Sequence, residues 1–284
     1  MQAANSAVFS LGGDLPIRRL GFGAMRITGP GIWGSPPDED AAIRLLRRVA
    51  ESGITLIDTA DSYGPGVSET LIARALHPYS NGLVIATKGG LVRPAPDRWV
   101  ADCRPEHLRH VCEESLTRLR LERIDLYQLH AVDPRVPIED SIGALLDLQR
   151  AGKIRHIGVS NVSADQLARA RRVAAIVSVQ NHYNWADRSS DPIVDVCACD
   201  GLAFIPWYPL AAGRLAQRGS ALADIAQRRR TTPSQIALAW LLRRSPAIIP
   251  IPGTSAIVHF EENLRAAEIE LSEAEMHALS GGAA

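Results

Sequence analysis

The 284-residue sequence has few cysteines, no long apolar run and no excess of charge of either sign. Four cysteines in a chain of this length are too few for the disulfide framework of a small secreted domain. No apolar run approaches the roughly 18 residues that a membrane-spanning helix requires, and residues 1–11 lack the basic and apolar regions of a secretory signal. We therefore expect a cytoplasmic protein without a membrane segment.

The charge balance limits the kinds of partner. The 31 basic residues equal the 31 acidic residues in number, so the formal net charge is zero. This balance favours neither nucleic acid nor an anionic membrane surface as a partner. A small molecule is therefore the expected partner, and the oligomeric state is left open.

Short apolar runs alternate with amphipathic stretches along most of the chain. Residues 7–19 predict a β-hairpin, and Ser272 to Glu275 is a capping box that predicts a short final helix. Residues 88–104 are interpreted as a long loop before a helix that begins at Pro105. The predicted parallel strands are residues 20–23, 54–58, 83–87, 124–129, 154–159, 176–179, 202–205 and 247–251.

Eight strands that alternate with about eight helices predict an α/β protein, a (β/α)8 barrel with an N-terminal hairpin and a short C-terminal helix. No change of composition or flexible linker interrupts the pattern, so residues 1–284 are predicted to form a single domain. An open doubly wound sheet is the alternative. Such a sheet is expected to carry a Gly-x-Gly-x-x-Gly turn after its first strand, and residues 21–26 do not match that turn.

Three of the predicted strands end in residues suited to proton transfer. Asp58 and Tyr63 follow the second strand, Lys88 the third and His130 the fourth, and the carboxyl ends of barrel strands meet at one face. The Lys88 ammonium would lower the pKa of Tyr63 and so help it to act as an acid, while Asp58 would hold Lys88 by a salt bridge. With His130 to orient a carbonyl group, this set predicts carbonyl reduction if a hydride donor binds.

The motifs around these residues resemble those of the aldo-keto reductases over about residues 15–279. The matching motifs are residues 20–23 (LGFG), 57–60 (IDTA) with Tyr63-Gly64, 86–88 (ATK), 125–130 (DLYQLH), 152–161 (GKIRHIGVSN) and 251–255 (IPGTS) with Glu262-Asn263. The resemblance implies a (β/α)8 barrel that binds a nicotinamide dinucleotide without a Rossmann fold. It also implies reduction of an aldehyde or ketone to the alcohol, with hydride from nicotinamide C4 and the proton from Tyr63.

The resemblance further implies a set of cofactor contacts. Ser160, Asn161 and Gln180 would bind the nicotinamide carboxamide, and Trp207 would stack on the ring where the family usually has tyrosine. The other implied contacts are Gly23, Ala24, Met25, Asp58, Tyr208, Pro209, Leu210, Gly213, Gly253, Thr254, Ser255, His259, Glu262 and Asn263.

The adenosine end of the implied cofactor site departs from the family pattern. Gly253 and His259 stand where several branches of the family have a lysine and an arginine that bind the 2′-phosphate of NADPH. Two fewer cations weaken the preference for NADPH, although hydroxyl and imidazole groups remain nearby. NADPH is the expected cofactor, with NADH as the alternative.

The substrate expectation comes from one branch of the family. Residues 29–34 (GPGIWG) and 251–255 resemble a bacterial branch that includes pyridoxal reductases, so pyridoxal or another aromatic aldehyde is the candidate substrate. The chain ends about 20 residues after Asn263, so no long C-terminal substrate loop is expected. The pocket would then be shaped by Trp33, Trp99, Trp185 and the loop of residues 91–104, together with Tyr63 and His130.

Two other functions would use the same residues. A nicotinamide-binding redox sensor with little turnover, similar to the cytoplasmic β-subunits of potassium channels, is the main alternative to an enzyme. A barrel hydrolase with a divalent metal at Asp58 and His130 lacks the further ligands that such a site needs, and no metal site is expected.

Overall fold

The computed structural model describes residues 8–211 and 220–280. The predicted N-terminal hairpin is formed by strand β1 (Val8–Leu11), which pairs antiparallel with β2 (Leu15–Arg18). The buried side chains of the hairpin pack in one apolar cluster with Leu56, Val84 and Ala203, which lie near the starts of three parallel strands. The hairpin therefore covers the amino-terminal end of the parallel sheet.

Seven parallel strands form one sheet within the described residues. In spatial order the strands are β11 (Ala203–Phe204), β10 (Ile176–Gln180), β9 (Ile154–Ser160), β8 (Ile124–Leu129), β5 (Val84–Gly89), β4 (Leu56–Asp58) and β3 (Phe22–Gly23). The strands follow one another along the chain in the predicted order. Every residue of β4, β5 and β10 is buried. Burial on both faces is typical of parallel strands covered by helices.

Residues 247–251, predicted as the eighth strand, join the two edges of this sheet. Phe204 N–H donates to the carbonyl of Ala247 (2.8 Å), and Ile249 N–H donates back to the carbonyl of Phe204 (2.9 Å). On the other edge, Gly21 N–H donates to the carbonyl of Pro250 (2.9 Å). This arrangement fits the predicted (β/α)8 barrel.

Helices alternate with the parallel strands. The α-helices of the described residues are α1 (Glu39–Glu51), α2 (Val67–Leu76), α3 (Pro105–Leu119), α4 (Ile138–Arg150), α5 (Ala164–Val173), α6 (Asp191–Asp200), α7 (Ala221–Arg229), α8 (Pro233–Arg244), α9 (Ile257–Arg265) and α10 (Glu273–Ser280). Capping at Asp38 and Thr232 explains where α1 and α8 begin, because each side chain accepts a backbone N–H of the first turn. No helix in the described ranges is long and apolar enough to cross a membrane.

The long loop predicted over residues 88–104 was wrong in its middle part. Residues 91–101 form a second antiparallel hairpin, β6 (Leu91–Ala95) with β7 (Arg98–Ala101). Pro94 and Pro96 obscure the strand pattern in the sequence, and the hairpin is a separate two-stranded unit outside the parallel sheet. It places the side chain of Trp99 over the carboxyl ends of the strands.

The guanidinium of Arg19 links the closing segment to the end of α8. It donates to the carbonyls of Leu242 (2.6 Å), Ser245 (2.6 Å) and Ile248 (3.3 Å), and the residue is 6% exposed. Carbonyl groups at the end of a helix lack partners within that helix. Arg19 supplies donors to carbonyls that water does not reach.

Replacing this guanidinium tests its contribution to stability. We expect Arg19→Met to lower the free energy of unfolding by about 2–4 kcal/mol, because buried carbonyls lose their donors. Urea unfolding followed by circular dichroism measures the change. Arg18→Met, at an exposed neighbouring position on β2, is the matched control and should change the free energy by less than about 0.5 kcal/mol. Equal effects of the two substitutions would contradict this role for Arg19.

Candidate active site

A cavity of about 490 Å³ opens at the carboxyl ends of the parallel strands. It brings together the predicted residues Gly23, Met25, Asp58, Tyr63, Trp99, His130, Ser160, Asn161, Gln180, Trp207, Tyr208, Pro209, Leu210 and Gly253. Five further residues line it: Leu91, from the loop predicted to shape the pocket, and Arg26, Ile32, Ile251 and Pro252, which were not predicted as site residues. Each of these five is adjacent in sequence to a predicted residue or lies in a predicted segment.

Strand register explains how Lys88 reaches Asp58. Asp58 pairs with Ala86 across β4 and β5, and Lys88 lies two residues further along β5, on the same face as Ala86. The Lys88 Nζ atom donates to Asp58 Oδ1 at 2.6 Å and to the carbonyl of Thr59 at 2.7 Å. The two charged side chains are 0% and 2% exposed, so this ion pair is buried at the cavity floor.

The second carboxylate oxygen of Asp58 accepts from two amide side chains. Gln180 Nε2 lies 2.8 Å from Asp58 Oδ2, and Gln128 Nε2 lies 3.2 Å from the same oxygen. The sequence did not point to Gln128, although it lies on β8 two residues before His130, at the spacing of side chains that share one face of a strand. These donors stabilise a carboxylate that is out of contact with water.

Tyr63 extends the pair toward the cavity. Its hydroxyl lies 3.4 Å from Lys88 Nζ, and the residue is 7% exposed. Burial raises the pKa of Tyr63, and the Lys88 ammonium opposes this rise only in part. The pKa of Tyr63 is thus raised, whereas the sequence predicted that Lys88 would lower it. The prediction was wrong because the sequence does not show how deeply the phenol is buried. Tyr63 is therefore a protonated phenol at neutral pH.

Lys88 itself remains charged. Burial by itself disfavours the ammonium, but the attraction of Asp58 and Tyr63 together with the hydrogen bonds to both outweighs it and keeps the pKa of Lys88 above its ordinary value. The site thus holds a neutral acid next to a fixed positive charge.

His130 stands against Tyr63 on the cavity wall. The two ring centres are 5.9 Å apart with the planes at 81°, and His130 Nδ1 lies 3.3 Å from the hydroxyl oxygen of Ser62. Burial, reinforced by the positive charge of Lys88, lowers the pKa of His130 well below its ordinary value. The imidazole is therefore neutral at pH 7 and can either donate or accept a hydrogen bond at each nitrogen, according to its tautomer.

The ends of β9 and β10 form the opposite wall. Ser160 Oγ donates to the carbonyl of Gln180 (2.7 Å), and Asn161 Nδ2 donates to the carbonyl of His130 (3.0 Å). Asn161 Oδ1 accepts from the indole N–H of Trp207 at 3.0 Å. The indole also lies beside the His182 ring, with centres 4.5 Å apart, a contact that the sequence did not suggest. Together these contacts hold a flat, 36% exposed ring at the cavity mouth.

Gly23 and Gly253 approach each other closely at one edge of the cavity. A Cβ atom on Gly253 would lie 2.7 Å from the carbonyl oxygen of Gly23, and one on Gly23 would lie 2.6 Å from that of Ile251. Both distances are shorter than van der Waals contact allows. The absence of a lysine at position 253 is therefore a requirement of strand packing in this chain.

Several predicted residues lie away from the cavity wall. Ala24 is buried, and its carbonyl accepts from the hydroxyl of Ser68. Ser255 lines a neighbouring cavity, and Gly213 lies outside the described residues. The other predicted cofactor residues outside the wall follow Gly253 on the loop and on α9: Thr254, His259, Glu262 and Asn263.

Two of the predicted pocket tryptophans do not line the cavity. Trp185 is 8% exposed and donates its indole N–H to the carbonyl of Leu279 (2.9 Å), so it anchors the end of α10. Trp33 lies beside Arg93, with the guanidinium 5.7 Å from the ring centre. The neighbouring Ile32 lines the cavity in its place. The positions of Trp185 and Trp33 differ from the prediction because they are set by tertiary contacts, which the spacing of residues in the sequence does not show.

Comparison with known families accounts for this site. A sequence model of the aldo/keto reductase family matches residues 19–281. The chain belongs to the aldo/keto reductase family. The family resemblance of the sequence motifs is thereby confirmed, and the protein is an NAD(P)H-dependent oxidoreductase.

Individual family members cover nearly the whole chain. An uncharacterized oxidoreductase of Schizosaccharomyces pombe is 48% identical over 260 residues, which are 92% of this chain and 85% of the relative. The pyridoxine 4-dehydrogenase of Escherichia coli is 42% identical over 283 residues, 98% of each chain. A solved aldo/keto reductase from Klebsiella pneumoniae, in complex with NADP and acetate, is 26% identical with a TM-score of 0.83, covering 97% of this chain and 95% of that one.

The buried neutral state of His130 predicts a pH dependence of stability. Its pKa is lower in the folded protein than in the unfolded chain, so its stabilising effect is present above about pH 6.5 and is lost as pH falls, by up to about 1.4 kcal/mol per pH unit. We expect His130→Gln to lose less stability than the wild type between about pH 7.5 and pH 5.5 in urea unfolding. His110→Gln, at a side chain 70% exposed, should follow the wild-type curve. Parallel pH curves for wild type and His130→Gln would contradict the prediction.

Proposed function

We propose that this protein uses NADPH to reduce an aromatic aldehyde, with pyridoxal as the leading candidate, to the corresponding alcohol. The observation that carries the proposal is the Tyr63 hydroxyl, which reaches the cavity wall while lying 3.4 Å from a buried lysine. A carbonyl oxygen that gains a hydride on its carbon needs a proton from the protein. Tyr63 is the protonated group in position to give it.

Each of the four residues predicted for proton transfer has a separate role. Tyr63 donates its hydroxyl proton to the carbonyl oxygen, and the Lys88 ammonium stabilises the phenolate that results. Asp58 keeps Lys88 charged and in place through the 2.6 Å contact. The neutral imidazole of His130 hydrogen-bonds the substrate carbonyl and directs it toward Tyr63.

The opposite wall fits a nicotinamide ring. NADPH supplies the hydride when it is bound. Ser160, Asn161 and Gln180 combine a hydroxyl with amide donors and acceptors, which complement a carboxamide group. Gln180 Oε1 accepts no hydrogen bond from the described residues, so it remains available. The indole of Trp207 offers a flat surface for the ring.

The residues near Gly253 offer a positive environment for the phosphate groups of NADPH. Helix α9 begins without a side-chain cap and without an acidic residue in its first turn, so its N–H groups and dipole favour an anion. Arg26 is exposed at the cavity edge and has no partner among the described residues. Its Cγ would lie 3.6 Å from a Cβ on Gly253, so Arg26 supplies a cation where position 253 has none.

The substrate class rests on the remaining wall and on one relative. Leu91, Ile32 and Trp99 give the cavity an apolar side beside Tyr63 and His130, which suits a flat aromatic ring. The Escherichia coli relative that spans the whole chain is named for the oxidation of pyridoxine, the alcohol that corresponds to pyridoxal. Pyridoxal reduction is the reverse of that reaction.

Loss of the Tyr63 hydroxyl tests the acid. We expect the wild type to oxidise NADPH with pyridoxal or with a member of a panel of aromatic, aliphatic and dicarbonyl compounds, followed by absorbance. Tyr63→Phe should lower kcat by at least about 100-fold, because proton donation is lost. Its affinity for NADPH, measured by fluorescence titration, should stay within about twofold of wild type.

Tyr79→Phe is the matched control, since that hydroxyl donates to the carbonyl of Leu119 outside the cavity. Undiminished turnover by Tyr63→Phe would remove Tyr63 from the acid role. Binding of NADPH without turnover of any carbonyl compound by the wild type would instead support the redox-sensor alternative.

Arg26 is tested by cofactor affinity. We expect Arg26→Met to raise the Kd of NADPH by about tenfold, the effect of losing one charged hydrogen bond to a phosphate. Arg44→Met, at a side chain 61% exposed on α1, should leave the Kd unchanged. Parallel titration with NADH identifies the phosphate that Arg26 binds. An equal loss of affinity for both cofactors indicates the pyrophosphate, and a loss of affinity for NADPH alone indicates the 2′-phosphate. An unchanged NADPH affinity would exclude Arg26 from the site.

A further inference from the structure

Arg93 on β6 is buried against the ring of Trp99 on the paired strand β7. The guanidinium carbon lies 3.7 Å from the centre of the Trp99 ring, close enough for a cation–π contact. Arg93 is 7% exposed, whereas Trp99 is 36% exposed and lines the cavity. One face of the indole is therefore covered by the guanidinium.

The same guanidinium binds two other segments. Nη2 donates to the carbonyl of Gly31 (2.9 Å), and Nη1 donates to those of Ile32 (3.0 Å) and Ser62 (3.5 Å). Gly31 and Ile32 belong to the loop after β3, and Ser62 immediately precedes Tyr63. Arg93 thus connects the hairpin, the loop and the segment that carries the proposed acid.

The loop that Arg93 binds is strained. Ile32 has a φ of 56°, in the left-handed region that a β-branched residue rarely adopts. Donors to the carbonyls of Gly31 and Ile32 offset the cost of holding this conformation. Removing Arg93 would therefore release the loop as well as the indole.

Trp99 in turn meets both substrate-facing groups. Its ring centre lies 6.4 Å from that of Tyr63 and 6.4 Å from that of His130, with interplanar angles of 81° and 71°. The three rings form adjoining sides of one recess. The position of the indole decides how wide that recess is.

We propose that Arg93 is a positioning residue that fixes Trp99 as the aromatic wall of the substrate recess and so favours flat aromatic aldehydes over small aliphatic ones. This proposal rests on the proposed function for its substrate readout. A fixed indole can pack against a flat ring along its whole length, whereas a short aliphatic aldehyde contacts little of it. Arg93 acts on the choice of aldehyde through Trp99, and it takes no part in proton transfer.

Steady-state kinetics of Arg93→Met and Arg93→Lys provide the main test. With pyridoxal, Arg93→Met should raise KM by about tenfold, whereas KM for propionaldehyde should change by less than about twofold. Arg93→Lys keeps a cation but not the planar fork, so it should recover part of the loss. Arg98→Met, at an exposed neighbour of Trp99, is the matched control and should behave as wild type.

A double-substitution cycle separates action through Trp99 from a general loss of structure. In a Trp99→Ala background, Arg93→Met should no longer alter the ratio of the two KM values, because the wall it positions is absent. Equal increases of KM for both aldehydes, or an undiminished effect of Arg93→Met in the Trp99→Ala background, would overturn the proposal. If Arg93→Met does not fold, Arg93→Lys carries the same comparison.

Fluorescence tests the positioning without turnover. The signal of Trp99, taken as the difference between wild type and Trp99→Phe, should become at least about twofold more quenchable by acrylamide in Arg93→Met, because one face of the indole is uncovered. Unchanged quenching would overturn the positioning role even if the aldehydes react as expected. Wild-type protein that turns over no aldehyde, with quenching that changes as expected, would reject the proposed function and retain the contact.

Discussion

The buried ion pair between Lys88 and Asp58 is the constraint on which the site depends. Two opposite charges away from water are tolerated only when their remaining hydrogen-bonding atoms also have partners. Here the partners come from Thr59, Gln128 and Gln180, so β4, β5, β8 and β10 must all be in register before the pair is complete. The positive charge next to Tyr63 is therefore a property of the assembled barrel and not of any one strand.

Two arginines solve the same problem at separate places in the fold. Arg19 gives its donors to carbonyls near the end of α8, and Arg93 gives its donors to carbonyls in loops above the strands. In both places the backbone leaves regular secondary structure, so the carbonyls lack the partners that a helix or sheet would give. A guanidinium can reach several of them at once because it has five N–H donors in a fixed plane. Each guanidinium thereby supplies hydrogen-bond donors to irregular backbone in its own part of the fold.

The sequence predicted what depends on local pattern. The alternation of strands and helices, the N-terminal hairpin and the capping box at Ser272 all follow from periodicity or from residues near in sequence. Features that depend on distant contacts were missed. Pro94 hid the second hairpin, the indole of Trp185 turned toward the chain end, and the depth of burial reversed the expected pKa shift of Tyr63. Gln128 looked like one more residue of a buried strand, because its partner lies 70 positions away.

The contact between Gly23 and Gly253 has an evolutionary consequence. Neither position has room for a side chain, because a Cβ atom on Gly253 would meet the carbonyl oxygen of Gly23 and one on Gly23 would meet that of Ile251, and both obstacles are backbone atoms. A lineage can therefore acquire a side chain at position 253, and with it a cation, only if the backbone at this edge of the cavity also shifts. A change in the charge of this edge is accommodated more readily at Arg26, whose side chain is exposed and lines the same cavity.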